Sequence, residues 1–287
     1  MHAQAQPPKT VPAKVVVNKS RIKPSDESNE VRELVIEIDD PSFKCEAGQS
    51  IGVLAPVPSD SDEPFHLRWY SIADIPTKDH HGRPNLTLSV RRVIVDNRDT
   101  GRTEKGLASN YLCDLQPGDA LEVAGPHGIP FPIPGDKTAT LVLIGAGTGI
   151  APFRSFIKTL YRQHPDWQGP VYLFYGTRNG LDVLYTNDPD ADLTQYFDQE
   201  TFEAFKVLSP KVNWADPISW DLAFSERGNE LLEMMQKPNT YVYVAGREEI
   251  GRHLDSLFAK LLGSANQWQL QKQELKAAER WAEILYA

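Results

Sequence analysis

Two cysteines, three methionines and no long apolar run mark what this 287-residue sequence does without. An iron–sulfur cluster normally needs four thiolates, so Cys45 and Cys113 hold none, and they build no disulfide framework, which fits the cytoplasm. No apolar stretch approaches the roughly 18 residues of a membrane span. The opening "MHAQAQPPKT" has no hydrophobic segment of a secretory signal, and residues 1–12 read as a disordered leader. Positive charge is also short: the net charge is −9, against non-specific binding to nucleic acid or an anionic membrane. There is no internal repeat and no low-complexity tract.

Catalytic groups of the familiar kinds are missing too. The sequence holds no metal-ligand cluster, no Ser–His–Asp order and no paired general acid and base; His127, in "GPHG", reads as an isolated turn residue. Whatever chemistry the chain performs must come from a bound cofactor.

What is present falls into two textures. Up to Gly135 the chain is β-rich: "PAKVVVNKSRI", "VRELVIEI", "SIGVLAP", "LRWYSIA", "LTLSVRRVIV" and "DALEVAGP" are short and Val/Ile-rich, broken by Pro, Gly and Asp. One helix, Leu107 to Leu115, interrupts them. Six strands with little helix predict a six-stranded antiparallel Greek-key β-barrel over residues 13–135. From residue 136 to 287 strands alternate with amphipathic helices, which predicts a five-stranded parallel, doubly wound α/β domain. Ser264 with Gln267 makes a capping box for its last helix.

Two motifs carry chemistry. In "GAGTGIAP", Gly145, Gly147 and Gly149 follow a strand and open a helix, the arrangement in which backbone N–H groups and a helix dipole meet a phosphate. The same glycines would also close a tight strand–helix turn with no ligand. The acidic residue expected about 20 residues further on for a ribose hydroxyl is replaced by Gly176, Thr177 and Arg178, and an arginine there suits a 2′-phosphate or a second phosphate of the same cofactor. The other motif is "RWYS". A flavin would account for it: Arg68 for the pyrophosphate, the flat face of Tyr70 for the ring, the Ser71 hydroxyl for N5. A barrel strand with a snorkelling arginine accounts for the same residues.

Taken in order, "EAGQSIGV", "LRWYSIA", "LSVRR", "GLASNYLCDLQPGD", "GPHG", "GAGTGIAPFRSF", "NTYVYVAG" and "AERWAEILY" resemble the plant-type ferredoxin–NADP(+) reductase family from about residue 13 to 286. The resemblance implies an FAD-bound barrel followed by an NADP(H)-binding domain. It also implies hydride exchange between NADPH and flavin N5, and single electrons passed to a ferredoxin-like or flavodoxin-like carrier. Carried over by position, Arg68, Trp69, Tyr70 and Ser71 would contact FAD, and Ser89, Val90 and Arg91 would run along its phosphate side. Gly106 and Leu107 would line the cofactor site, and Ala108 and Ser109 would offer backbone N–H groups to its pyrophosphate at a helix start. Gly147, Thr148, Gly149 and Gly246 would line the NADP(H) site. Ser71 and Tyr286 would be the catalytic pair, Tyr286 lying over the flavin ring.

The chain departs from the family pattern at four places. Ala245 stands where the family has cysteine, and Val95 where an adenine-stacking tyrosine is common. Ile284 replaces a glutamate two residues before the final tyrosine, with Glu283 one residue away. Around the 2′-phosphate Ser209 is kept, Pro210 follows, Lys211 is next, and Trp220 stands near the tyrosine's place; Arg178 is the better cation for the phosphate because guanidinium binds it with two prongs. Arg91, Arg92, Arg98, Arg102 and Lys105 form the best basic cluster for docking an acidic carrier. A reductase component of an oxygenase system, or a flavoprotein that has lost fast hydride transfer, are the alternatives.

Overall fold

The computed structural model describes residues 9–22, 30–58, 61, 65–97, 102–177, 193, 200–208 and 228–286. The chain divides into two compact units, Met1–Pro130 and Phe131–Ala287.

The first unit contains β1 (Thr10–Ile22), β2 (Val31–Ile38), β3 (Ser50–Ala55), β4 (His66–Ser71), β5 (Thr77–Lys78), β6 (Pro84–Arg91), β7 (Ile94–Asn97), β8 (Arg102–Lys105), α1 (Leu107–Asp114) and β9 (Ala120–His127). Seven strands form an antiparallel sheet in the order β4-β3-β9-β1-β2-β6-β5, and β7 pairs with β8 as a separate hairpin. Alternation builds the core: Leu34, Ile36 and Ile38 of β2 are fully buried while Val35 and Glu37 between them are not. They pack with Ile51, Val53, Leu86, Leu88, Val90 and Leu112. The chain leaving β4 closes the sheet, with Ile72 facing Leu88 and Ala73 N donating to Thr87 O at 2.8 Å.

Three details differ from the sequence expectation. The sheet has seven strands, not six, because Thr77–Lys78 pairs with Pro84–Asn85; two exposed residues carry no alternating pattern to read. "LTLSVRRVIV" is two strands, not one. Arg92 breaks it, drawn inward by Glu30 (Nε to Oε2, 2.8 Å), Asn110 (3.0 Å) and Asp114 (2.8 Å). And β1 begins inside the presumed leader, Thr10–Lys14 pairing with Ala124–Ala120 of β9.

The second unit contains β10 (Thr140–Ala146), a 3-10 turn (Gly147–Gly149), α2 (Ile150–Gln163), β11 (Val171–Thr177), β12 (Phe202–Leu208), α3 (Gly228–Gln236), β13 (Thr240–Arg247), α4 (Glu248–Leu262), α5 (Ala265–Ala277) and β14 (Trp281–Tyr286). The five strands are parallel in the order β12-β11-β10-β13-β14. Both faces are covered, so the central strands are near-continuous apolar runs. Val142, Ile144, Val242 and Val244 pack with α3, α4 and α5. On the other face Tyr243 meets Phe156 of α2 edge-on at 5.5 Å. Ser264 caps α5, its Oγ accepting from Gln267 N at 3.2 Å. Strand order reverses between β10 and β13, and the crevice outside the carboxyl ends at such a switch point is where open α/β sheets bind ligands.

Candidate functional site

In the barrel unit the "RWYS" strand has two characters. Register sets Tyr70 opposite Ile51 and Trp69 opposite Gly52. Tyr70 packs against the barrel core, and burial raises its pKa far enough that the phenol stays protonated. Arg68 and Trp69 are exposed. Gly52 leaves room for the indole, since a Cβ there would lie 3.2 Å from Trp69 Cζ3. Trp69 also leans on His127, ring centroids 4.5 Å apart. Ser71 Oγ lies 3.3 Å from Ser50 Oγ, and Ser50 is paired in register with both Ser71 and His127. Ser50 and His127 therefore sit beside the motif in space, a relation that only strand register reveals.

The segments "SVRR" and "GLAS" are far apart in sequence and stitched together here. Gly106 N donates to Val93 O (2.9 Å), Val93 N to Ser109 Oγ (3.2 Å), and Asn110 Nδ2 to Val93 O (2.9 Å). The α1 helix they anchor packs against β3, β4 and β6. Its N-cap, Gly106, has no capping side chain and its first turn no acidic residue, so N–H groups are left for an anion. Ser89 Oγ is buried with no hydrogen-bond partner, which costs about 1–3 kcal/mol unless a ligand supplies one. Uncapped donors and an orphaned hydroxyl fit a diphosphate-bearing group such as FAD.

Arg92 does not belong to a docking surface: its side chain is 8% exposed and ion-paired to Glu30 and Asp114. Arg98 lies outside the described residues.

In the second unit the glycine turn sits at the switch point. Gly147 has φ +56, and Gly246, at the end of β13, has φ +148, both awkward for L side chains. Gly149 is packed so tightly that an added Cβ would fall 2.3 Å from Ala245 O and 2.9 Å from Gly246 Cα. Tyr175, buried in β11, donates its hydroxyl to Gly147 O at 3.0 Å and holds the turn; sequence reading missed it because β11 lies 28 residues further on. Helix α2 starts without a side-chain cap and with no acid in its first turn, whereas α4 starts with Glu248 and Glu249. The two helix starts thus differ in charge, and a pyrophosphate fits the one at α2.

Tyr286 ends β14 opposite Arg247 of β13, and its Oη is 2.9 Å from Thr148 Oγ1. Ala245 is fully buried, in register with Gly145 on one side and Ile284 on the other. Glu283 does not replace the glutamate missing at Ile284. Its oxygens accept from Lys272, Lys276 and Trp281 Nε1, each at 2.8 Å. Arg178, Ser209, Lys211 and Trp220 lie outside the described residues, as does the side chain of Val95.

Residues 143–255 match the oxidoreductase NAD-binding domain family. The chloroplastic ferredoxin–NADP reductase of Spinacia oleracea is 34% identical over 83% of this chain and 66% of its own length. The ferredoxin–NADP reductase of Spirulina sp. is 31% identical over 88% of this chain and 87% of its own, and leaf isozyme 2 of Oryza sativa subsp. japonica is 33% identical over 93% and 74%. The chain thus spans about two thirds of the length of the spinach relative. Among solved structures, the ferredoxin–NADP+ reductase of Plasmodium falciparum aligns over 96% of both chains with a TM-score of 0.69 at 22% identity, which is a likeness of fold. The same reductase is also solved with 2'P-AMP.

Proposed function

Because the chain belongs to the ferredoxin–NADP reductase family, we propose that it is an FAD-dependent oxidoreductase. It exchanges hydride with NADP(H) and single electrons with a ferredoxin-like or flavodoxin-like carrier. The observation that carries this reading is the pair of uncapped, acid-free helix starts, α1 and α2, one in each unit, each set behind a glycine. Bound FAD would supply the group that takes up one hydride, and with it two electrons, and gives those electrons up one at a time.

The chain's own residues bind and orient. Arg68, Arg91 and the first-turn N–H groups of Leu107, Ala108 and Ser109 hold the FAD pyrophosphate, with Ser89 and Val90 alongside. Trp69 and Tyr70 give the cofactor flat surfaces. Ser71, steadied by Ser50, gives N5 a hydroxyl. Gly147, Thr148, Gly149 and Gly246 let the NADP(H) backbone approach the switch point. Arg178, with Ser209, Lys211 and Trp220, takes the 2′-phosphate and adenine, so NADPH is preferred to NADH. Tyr286 takes the place that nicotinamide must occupy. The relatives named above are all ferredoxin–NADP reductases, which does not favour an oxygenase component. We place the protein in the cytoplasm, a reading supported by Cys45 and Cys113, neither of which is bridged.

Extraction of the yellow cofactor from denatured protein, run against standards, tests the barrel site; FAD is expected, and FMN or nothing after reconstitution defeats the assignment. Anaerobic NADPH should then bleach the flavin quickly, and added ferredoxin should be reduced. Changing Arg178 to Glu should lower kcat/KM for NADPH about ten- to hundredfold, the size of one phosphate–arginine contact, and leave NADH nearly unchanged.

A further inference from the structure

The final strand is held by a cluster that the binding sites do not use. Along β14 successive side chains alternate between faces. Trp281, Glu283 and Leu285 face the α4/α5 layer: Trp281 lies in its core with Leu285 packed against it, and Leu285 Cδ1 lies 3.0 Å from where a Cβ on Gly251 would be. Ala282, Ile284 and Tyr286 alternate with them, and Tyr286 reaches Thr148. β14 is an edge strand, paired only with β13 among the strands described. The cluster on its α5 face is dense. Lys272 is 8% exposed, bonds Asp255 Oδ1 at 2.9 Å and Glu283 Oε1 at 2.8 Å, and sits 5.1 Å over the Trp281 ring. Lys276 takes the other Glu283 oxygen, and Trp268 Nε1 donates to the same Asp255 oxygen.

We propose that Glu283 is a positioning residue for nucleotide selection: clamped by Lys272 and Lys276 on helix α5, it fixes the height and twist of β14 and so aims Tyr286 at Thr148. The carboxylate that the family pattern sets on the tyrosine's face of this strand stands one residue earlier here, and a shift of one residue turns it to the opposite face. There it acts on the ring through the backbone. An edge strand has ladder bonds on one side only, so a side-chain anchor three residues from the ring adds to the Leu285 packing and the Thr148 bond in holding the ring's position. The role in selection rests on the function proposed above; the clamp itself does not.

The test uses the full-length flavoprotein and its Glu283→Gln variant, which keeps the size of the side chain and an acceptor for Trp281. The milder Lys276→Gln changes a lysine whose side chain is 47% exposed. Without nucleotide, amide hydrogen exchange at Ile284, Leu285 and Tyr286 should speed up about tenfold in Glu283→Gln and less in Lys276→Gln, the order expected for losing one charge-assisted hydrogen bond. With the clamp loosened, NADP+ should bind about three- to tenfold tighter and discrimination against NADH should fall, because the displaced ring is easier to move. Both nucleotide effects should vanish when Glu283→Gln is combined with Tyr286→Ser, since the two changes act through one ring. Unchanged exchange overturns the clamp. Faster exchange with unchanged NADP+ affinity leaves Glu283 a purely structural residue and overturns its role in selection. Equal affinity shifts with and without the tyrosine overturn it as well. If wild type binds no NADP+, the proposed function fails, while the exchange measurement still decides the clamp.

Discussion

Thr148 Oγ1 and Tyr286 Oη stand 2.9 Å apart, although 138 residues separate them. The contact ties the glycine turn after β10 to the last residue of β14, across the end of β13. A hydroxyl pair of this kind is worth about 0.5–1.5 kcal/mol, enough to favour one position of the ring and little enough for a ligand to displace.

Changing Tyr286 to Ser should therefore tighten NADP+ binding, since nicotinamide no longer has to displace a ring from its place. A gating ring of this sort also speeds product release, so turnover should slow while NADH becomes a better substrate. Titration of both proteins with NADP+ by difference absorbance measures the effect. Equal dissociation constants would remove the gate.

Gly149→Ala should be among the most damaging single changes in the second unit. The new methyl would fall 2.3 Å from Ala245 O, and the atom in its way is backbone, not the end of a flexible side chain. Forcing β10 and β13 apart at the switch point should cost at least about 2–3 kcal/mol and lower nucleotide affinity. Gly147→Ala has open space around the methyl and pays only for φ +56, about 1 kcal/mol. Thermal unfolding of the two variants side by side checks the ranking; a larger loss at Gly147 would contradict it.

Ser71→Ala should slow hydride transfer far more than it weakens FAD binding, because a hydrogen bond to the reacting atom matters most as charge shifts there. Ser50→Ala should show a weaker form of the same split. Ser50 touches Ser71 at 3.3 Å, and its loss frees that hydroxyl to rotate. Stopped-flow reduction by NADPH, set against the FAD dissociation constant of each variant, separates the two effects. A Ser50→Ala protein indistinguishable from wild type would show that Ser71 needs no partner.

The elements themselves were legible in the sequence because each depends on a short pattern: period-two alternation in β2, the continuous apolar runs of β10 and β13, the Ser264–Gln267 cap. Relations across strands were not. Nothing within "GPHG" says that His127 meets Trp69, nothing in "VYLFYG" says that Tyr175 holds Gly147, and "VRR" looks like two equivalent arginines until Glu30 and Asp114 claim one of them. Glu283 shows the same limit. Its position one residue from the expected carboxylate was readable, but its capture by Lys272 and Lys276 depends on where α5 lies.

Acid should weaken both units through carboxylates of this kind. For Glu30 and Glu283 burial by itself would raise the pKa. Bonds from Arg92 and Arg32 to Glu30, and from Lys272, Lys276 and Trp281 to Glu283, outweigh it and hold both below the ordinary 4.5. A carboxylate depressed in the folded state binds its proton more readily once unfolded. Its contribution is therefore complete above the unfolded value, shrinks as the pH falls below that, and is lost once the pH passes the folded value. Each group is only partly exposed, so the effect should exceed that of a surface pair, which is about 0–1 kcal/mol. Melting temperatures of wild type, Glu30→Gln and Glu283→Gln, compared from neutral pH down to about pH 3, test this. Wild type should be the most stable near neutrality, and the gap should close as the acid limb is entered. A gap that stays constant down to the lowest pH would mean that the destabilisation comes from lost packing and not from the two charges.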